Sequence, residues 1–158
     1  MAAGFIYLEY KFAKINETET RGNLSAIEVV LKKIGAEKVE YDPAGWIRFW
    51  IEDEVLWINL SYAPMIEVLL QNSVDGCPDM EIAQEIAAKL TSRLAGGRVT
   101  IKEGSIFICW ASLLSGYEAW EEGLPIILGY LFQVREEFIS SYWKTLATKQ
   151  QHTNQPVS

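Results

Sequence analysis

Histidine, the side chain that most often acts as a general acid or base near neutral pH, occurs once in this sequence. That residue is His152, in a polar carboxyl-terminal segment that predicts a solvated tail. A Ser-His-Asp or Cys-His centre needs an imidazole held rigidly beside the nucleophile. The sequence therefore disfavours catalysis through histidine, and its scattered His and Cys residues do not have the spacing of a zinc site.

Carboxylates form two clusters that could support acid–base or metal chemistry. Residues 52–54 are three consecutive acids, and Glu118, Glu121 and Glu122 lie close together further along the chain. Such chemistry requires acids that converge in a pocket from fixed elements. We expect the first cluster at a hairpin tip and the second on a solvated helix face. A carboxylate enzyme is therefore the least supported hypothesis.

Neither the cysteines nor the glycines form a cofactor motif. Cys77 and Cys109 are far apart, and we interpret both as structural thiols because reactive cysteines need an electropositive neighbourhood. Gly96 and Gly97 follow a predicted helix, whereas a phosphate-binding loop precedes one. The sequence predicts no cofactor and no metal.

Composition narrows the class of protein. The chain has 158 residues, of which 49% are hydrophobic and 22% charged, values typical of one globular domain. Its net charge of −7 disfavours nucleic-acid binding, which needs a basic stripe. We find neither a signal sequence nor a membrane-length apolar run, and we expect a cytoplasmic location. We predict a single α+β domain over 1–147 and a flexible polar tail over 148–158.

The amino-terminal third predicts a strand followed by a helix. Alternating apolar residues over 6–12 predict the strand. Ser25 and Glu28 form a capping box, typical of a helix start. Apolar residues at helical spacing then continue to Ile34, and Gly35 is a plausible end.

Strands follow the first helix. Residues 39–41, 46–51 and 55–60 predict three of them, with the last two pairing around Asp53 and Glu54. The expected register places Trp50 opposite Trp57, and Arg48 opposite residue 59. Residues 65–70 fit either a strand or a short helix.

The remainder predicts a helix, a hairpin and a helical end. Asp79 can cap a helix that reaches Leu94. A hairpin follows, with strands over 98–102 and 105–110. A short helix over 115–122 is expected to break at Gly123 and Pro125 before a longer one begins. The predicted fold is α+β, an antiparallel sheet packed by helices in the order (β)-α-β-β-β-α-β-β-α.

One face of this predicted sheet is unusually aromatic. The expected strands project five residues on the side opposite the helix-packed core: Trp46, Arg48, Trp50, Trp57 and Phe107. A large exposed apolar patch is costly on a monomer. Two hypotheses remain open: another part of the chain covers the face, or a second copy or partner protein does. Tryptophan is enriched in binding hot spots, which makes these five residues the candidate partner-binding site.

The order of elements, the size and the acidity over residues 24–146 resemble those of the type III secretion chaperones and the related YbjN-like proteins. That resemblance implies a cytoplasmic, non-catalytic homodimer whose apolar surfaces grip an extended segment of another protein. The extra amino-terminal strand, the broken stretch over 115–125 and the many tryptophans depart from the pattern. The leading hypothesis is a chaperone-like or adaptor protein without enzymatic activity. The alternative is an acidic inhibitor or immunity-type protein that neutralises a basic partner.

Overall fold

The computed structural model describes residues 25–62 and 64–154. Helix α1 covers 25–33, and α2 and α3 cover Met80–Arg93 and Tyr117–Thr153. The strands are β1 (Lys38–Tyr41), β2 (Trp46–Ile51), β3 (Glu54–Asn59), β4 (Met65–Ser73), β5 (Gly97–Lys102) and β6 (Ser105–Leu113). The fold is α+β, as the sequence predicts. Residues 65–70 belong to a strand, and the predicted strand over 6–12 lies outside the described residues.

All six strands form one antiparallel sheet in the order β1-β2-β3-β4-β6-β5. The first four strands follow one another as a meander. The chain then leaves through α2, returns as the hairpin β5–β6, and places β6 beside β4. The order from α1 onward thus matches the prediction with one more strand before α2.

Alternation along the strands gives the sheet one fully buried face. Phe49, Leu56 and Leu70 are each 0% exposed, and their strand neighbours two positions away point the same way. The buried stripes of α1, α2 and α3 join these side chains in one hydrophobic cluster. Ile27 and Leu31 of α1, at the predicted helical spacing, are both 0% exposed. The helices therefore supply the cover for this face.

The β2–β3 hairpin turns at a different place from the predicted one. Glu52 and Asp53 occupy the turn with φ of 48° and 66°, the two left-handed residues of a type I′ turn. Arg48 consequently pairs with Trp57, and Trp50 pairs with Val55. The predicted register was wrong by two residues. Because side chains alternate with a period of two, every residue still lies on its predicted face.

Helix α3 is continuous where the sequence predicts a break. Pro125 removes one backbone donor and crowds the preceding turn, at a cost of about 3 kcal/mol. Trp120 and Leu124 just before it are 2% and 0% exposed, and Leu128 after it is buried in the same cluster. Burial of each such side chain contributes about 1.5–3 kcal/mol. Packing on both sides of the proline therefore outweighs its local cost.

The carboxyl-terminal part of α3 is attached to the start of α2. Asp79 caps α2 by accepting a hydrogen bond from the Ile82 amide at 3.1 Å. Its own amide donates to the Tyr142 hydroxyl at 2.8 Å, and its carboxylate pairs with Lys149 at 2.8 Å. The helix continues to Thr153, inside the predicted tail over 148–158, whose flexibility stays a prediction.

Candidate functional site

The sheet face opposite the helices is called the open face here. It carries the five predicted site residues, namely Trp46, Arg48 and Trp50 from β2, Trp57 from β3 and Phe107 from β6. These side chains are half-buried, and none belongs to the hydrophobic cluster or packs against it. Within residues 25–62 and 64–154, the buried stripes of all three helices point to the other face. The sequence therefore assigned the five residues to the correct face.

Arg48 is held between two indole rings of the open face. Its guanidinium carbon lies 4.6 Å from the ring centroid of Trp50 and 5.3 Å from that of Trp57. Glu40 of β1 accepts hydrogen bonds from Arg48 Nη2 at 2.6 Å and Nε at 3.2 Å. Hydrogen bonds from Lys38 first, and from Arg48 second, lower the pKa of Glu40. The stack holds both rings in place.

A second hydrogen bond orients Trp57. Its indole N–H donates to Gln71 Oε1 of β4 at 2.9 Å, so the polar edge of the ring is satisfied within the chain. Beside this pair lies a shallow depression of about 330 Å³, here called the apolar depression. Its lining consists of Trp46, Trp57, Leu69, Gln71 and Phe107. It offers aromatic and aliphatic surface with one amide.

A neighbouring depression of about 430 Å³, the basic depression, extends the open face toward β5. Leu69 and Phe107 line both depressions, which are therefore contiguous. The remaining lining residues are Arg98, Thr100, Lys102 and Cys109. The lining thus changes from aromatic and aliphatic in the apolar depression to basic in this second one.

Cys109 lies at the floor of the basic depression. Its thiol donates to Glu67 Oε1 at 2.9 Å, and Arg98 donates to the same oxygen at 3.1 Å. Burial, and then the hydrogen bond to Glu67, raise the pKa of Cys109 to about 12. A thiol with that pKa stays protonated near neutral pH and is a poor nucleophile. Cys77 is also buried, and burial raises its pKa.

The outer edge of the sheet at β5 is blocked by α2. The Val99 amide donates to Thr91 Oγ1 at 2.8 Å, and the Thr91 hydroxyl lies 3.1 Å from the Val99 carbonyl oxygen. Both outward main-chain groups of Val99 are therefore occupied. A partner strand that extends the sheet needs those groups free. At Val99 the edge of β5 is therefore not free to pair with another strand.

The acids of the two clusters lie in a turn, in ion pairs or on an exposed helix surface, the last being the case for Glu118 and Glu122 of α3. Glu52 and Asp53 are exposed in the β2–β3 turn, and Glu54 pairs with Arg135 of α3. Glu121 pairs with Lys33 of α1 at 3.1 Å. In the part of the chain that the structure describes, no three His, Cys, Asp or Glu side chains are grouped to hold a metal ion.

His152 lies on α3 rather than in an irregular segment. It lines a cleft of about 470 Å³ between α2 and α3, whose other polar residues include Glu81, Glu85, Lys144 and Lys149. The side chains there are charged and mostly exposed. None of the described helices is long and apolar enough to cross a membrane.

The contribution of β4 to the open face was not predicted from the sequence. Leu69 and Gln71 alternate with the buried pair Val68 and Leu70, a period of two that is typical of a strand. Assigning residues 65–70 as a strand would have placed Leu69 beside the tryptophans, and extending that strand to Ser73 would have added Gln71. Comparison of the chain with protein families, curated proteins and solved structures found no match.

Proposed function

We propose that this chain is a non-catalytic binding protein, chaperone-like or adaptor-like, whose open face takes up a segment of a partner protein. One observation carries the proposal: aromatic side chains lie in a row on a sheet face that none of the described helices covers. Contiguous apolar surface of this kind commonly marks an interaction site.

The fixed orientation of the aromatic rings supports the same proposal. The Arg48 stack and the hydrogen bond between Trp57 and Gln71 hold the indoles in place. A side chain that is already held in place loses little conformational entropy on binding. Tryptophan and arginine are also the residue types enriched in binding hot spots. The element order, with its resemblance to the type III secretion chaperones, points in the same direction.

The distribution of charge does not favour the acidic inhibitor. The whole chain has a net charge of −7, yet basic side chains outnumber acidic ones on the open face. The basic residues there are Lys38, Arg48, Arg98 and Lys102, against Glu40 and Glu67. An inhibitor of a basic partner would need to use a different surface.

Co-purification from the host organism tests the proposal. The tagged wild-type chain is compared with Trp57→Ala and with Trp143→Ala, a tryptophan of α3 that is 50% exposed and lies off the open face. We expect one protein to be retained by the wild type and by Trp143→Ala. Trp57→Ala should bind it about 30-fold more weakly, the effect of a hot-spot loss of about 2 kcal/mol.

Equal retention by all three chains would contradict the proposal. Circular dichroism spectra and urea unfolding of Trp57→Ala show whether the variant is folded. Sedimentation velocity of the purified chain separates a second copy from a different protein as the partner, since only self-association changes the mass of the chain alone.

A further inference from the structure

The two contiguous depressions of the open face differ in chemistry. Around Trp46 and Trp57 the apolar depression has one polar lining residue, Gln71. Toward β5, the basic depression is lined by Arg98 and Lys102. Because the two depressions share Leu69 and Phe107, they are contiguous, and one ligand can occupy both.

The two basic residues have different surroundings. Arg98 pairs with Glu67, whose carboxylate also accepts from the Cys109 thiol. Lys102, at the end of β5, is exposed and forms no ion pair with any residue in 25–62 or 64–154. Lys102 is therefore the cation of this depression that can meet an anionic group without breaking an existing pair.

We propose that the partner segment carries an apolar side chain and a carboxylate, and that it crosses the strands of the open face in an extended conformation. The apolar side chain occupies the apolar depression against Trp57 and Phe107. The carboxylate lies beside Lys102. This inference rests on the proposed function and specifies the chemistry of the partner.

The separation of the strands sets the spacing of the two groups. From β3, which carries Trp57, to β5, which carries Lys102, there are three inter-strand steps. At about 4.8 Å each they span roughly 14 Å across the sheet. The residue of β5 level with Trp57 is Arg98, and Lys102 lies four residues, or roughly 13 Å, further along the strand. The diagonal is therefore about 20 Å, which an extended chain rising about 3.3 Å per residue covers in about six residues. A helix, rising about 1.5 Å per residue, would need about thirteen residues. The spacing thus distinguishes the two conformations.

The block at the sheet edge also favours binding across the face. Thr91 occupies the outward amide and carbonyl of Val99, so a segment cannot continue the ladder there. A segment that lies across the open face instead gains affinity from side chains seated in the depressions. Such binding depends on the types and the spacing of the residues in the segment. Peptides that bind can therefore be selected from mixtures of random sequences.

Selection of displayed random linear peptides against the full chain tests the inference. We expect the selected peptides to share an aromatic or large aliphatic residue and an Asp or Glu about six residues away. Binding of one such peptide is then measured by fluorescence anisotropy with the wild type, Lys102→Glu, Trp57→Ala and Lys144→Glu. Lys144, an exposed lysine of α3 off the open face, is the matched charge reversal.

Lys102→Glu should weaken the peptide by about fivefold to tenfold, and added salt should weaken wild-type binding, because the pair is exposed. Lys144→Glu should leave affinity unchanged. The inference would be overturned by peptides that need Trp57 but lack an acidic residue. It would also be overturned by peptides that bind Lys102→Glu as tightly as the wild type. Either result would leave the proposed function standing. An acid about thirteen residues away would overturn the extended conformation. Selection of no peptide dependent on Trp57 would overturn the inference, while co-purification decides the proposed function separately.

Discussion

The contact between α2 and the edge of β5 yields a quantitative prediction for Thr91→Val. The substitution keeps the shape of the side chain and removes its hydroxyl. In the wild type that hydroxyl accepts the Val99 amide at 2.8 Å and lies within hydrogen-bond distance of the carbonyl oxygens of Val99 and Ala87. In the variant the Val99 amide faces a methyl group.

The magnitude follows from the burial of Val99, which is 6% exposed. A buried donor left without a partner costs about 1–3 kcal/mol. The Ala87 carbonyl already belongs to the helix ladder and loses little. Threonine and valine have similar helix propensities, so propensity offers no compensation. We expect the free energy of unfolding to fall by about 2 kcal/mol, with less loss in Thr91→Ser, which keeps the hydroxyl.

Urea unfolding followed by far-ultraviolet circular dichroism measures the change. With a slope of about 2 kcal/mol per molar urea, the midpoint should fall by about 1 M. Thr148→Val is the matched control, since the exposed Thr148 hydroxyl donates only to the Lys144 carbonyl of its own helix. It should change stability by less than about 0.5 kcal/mol. Equal midpoints for the two variants would refute the assignment of Thr91 as the edge-blocking residue.

Two further predictions concern ion pairing and a thiol. Arg135→Met removes the partner of Glu54 at a site where the arginine side chain is 18% exposed, and it should lower the free energy of unfolding in urea by about 1.5–3 kcal/mol. The control is Arg93→Met, whose pair with Glu137 is exposed and whose loss should cost under about 1 kcal/mol. Equal losses would contradict the difference in burial. Because the pKa of Cys109 is raised from 9.0 to about 12, its contribution to stability is complete below pH 9 and lost between pH 9 and 12. In a Cys77→Ala background, the Cys109 thiol of the folded chain should therefore react slowly with Ellman's reagent at pH 9, and rapidly once the chain is unfolded. Rapid reaction of the folded chain would contradict a buried, hydrogen-bonded thiol.

Much of the fold could be predicted because its signals are local. The Asp79 cap, the β5–β6 hairpin and the apolar stripe of α1 each follow from residue type and spacing. The β2–β3 register was missed because Glu52 and Asp53 lack the Asn-Gly signature of a type I′ turn. The break at Pro125 was wrong because a local rule yields to the burial of Trp120, which depends on tertiary structure.

Some features of the candidate site could likewise be predicted from the sequence, and others could not. Period-two alternation sufficed to bring Trp46, Trp57 and Phe107 to one face. The stacking of Arg48, the bond from Trp57 to Gln71 and the basic depression depend on which strands are neighbours. That order includes the insertion of β6 between β4 and β5, which no pattern within a single strand encodes.

The two-residue turn at Glu52 and Asp53 also bears on how this chain can change in length over evolution. It is an exposed tip between two strands that build the open face. Adding or removing an even number of residues within β2 or β3 moves the register but returns each indole to the same side. An odd change would exchange the aromatic side chains with the core residues between them. Within β2 and β3, insertions or deletions of an even number of residues are therefore tolerated better than those of an odd number. At the tip itself, inserted residues leave both faces of the sheet unchanged.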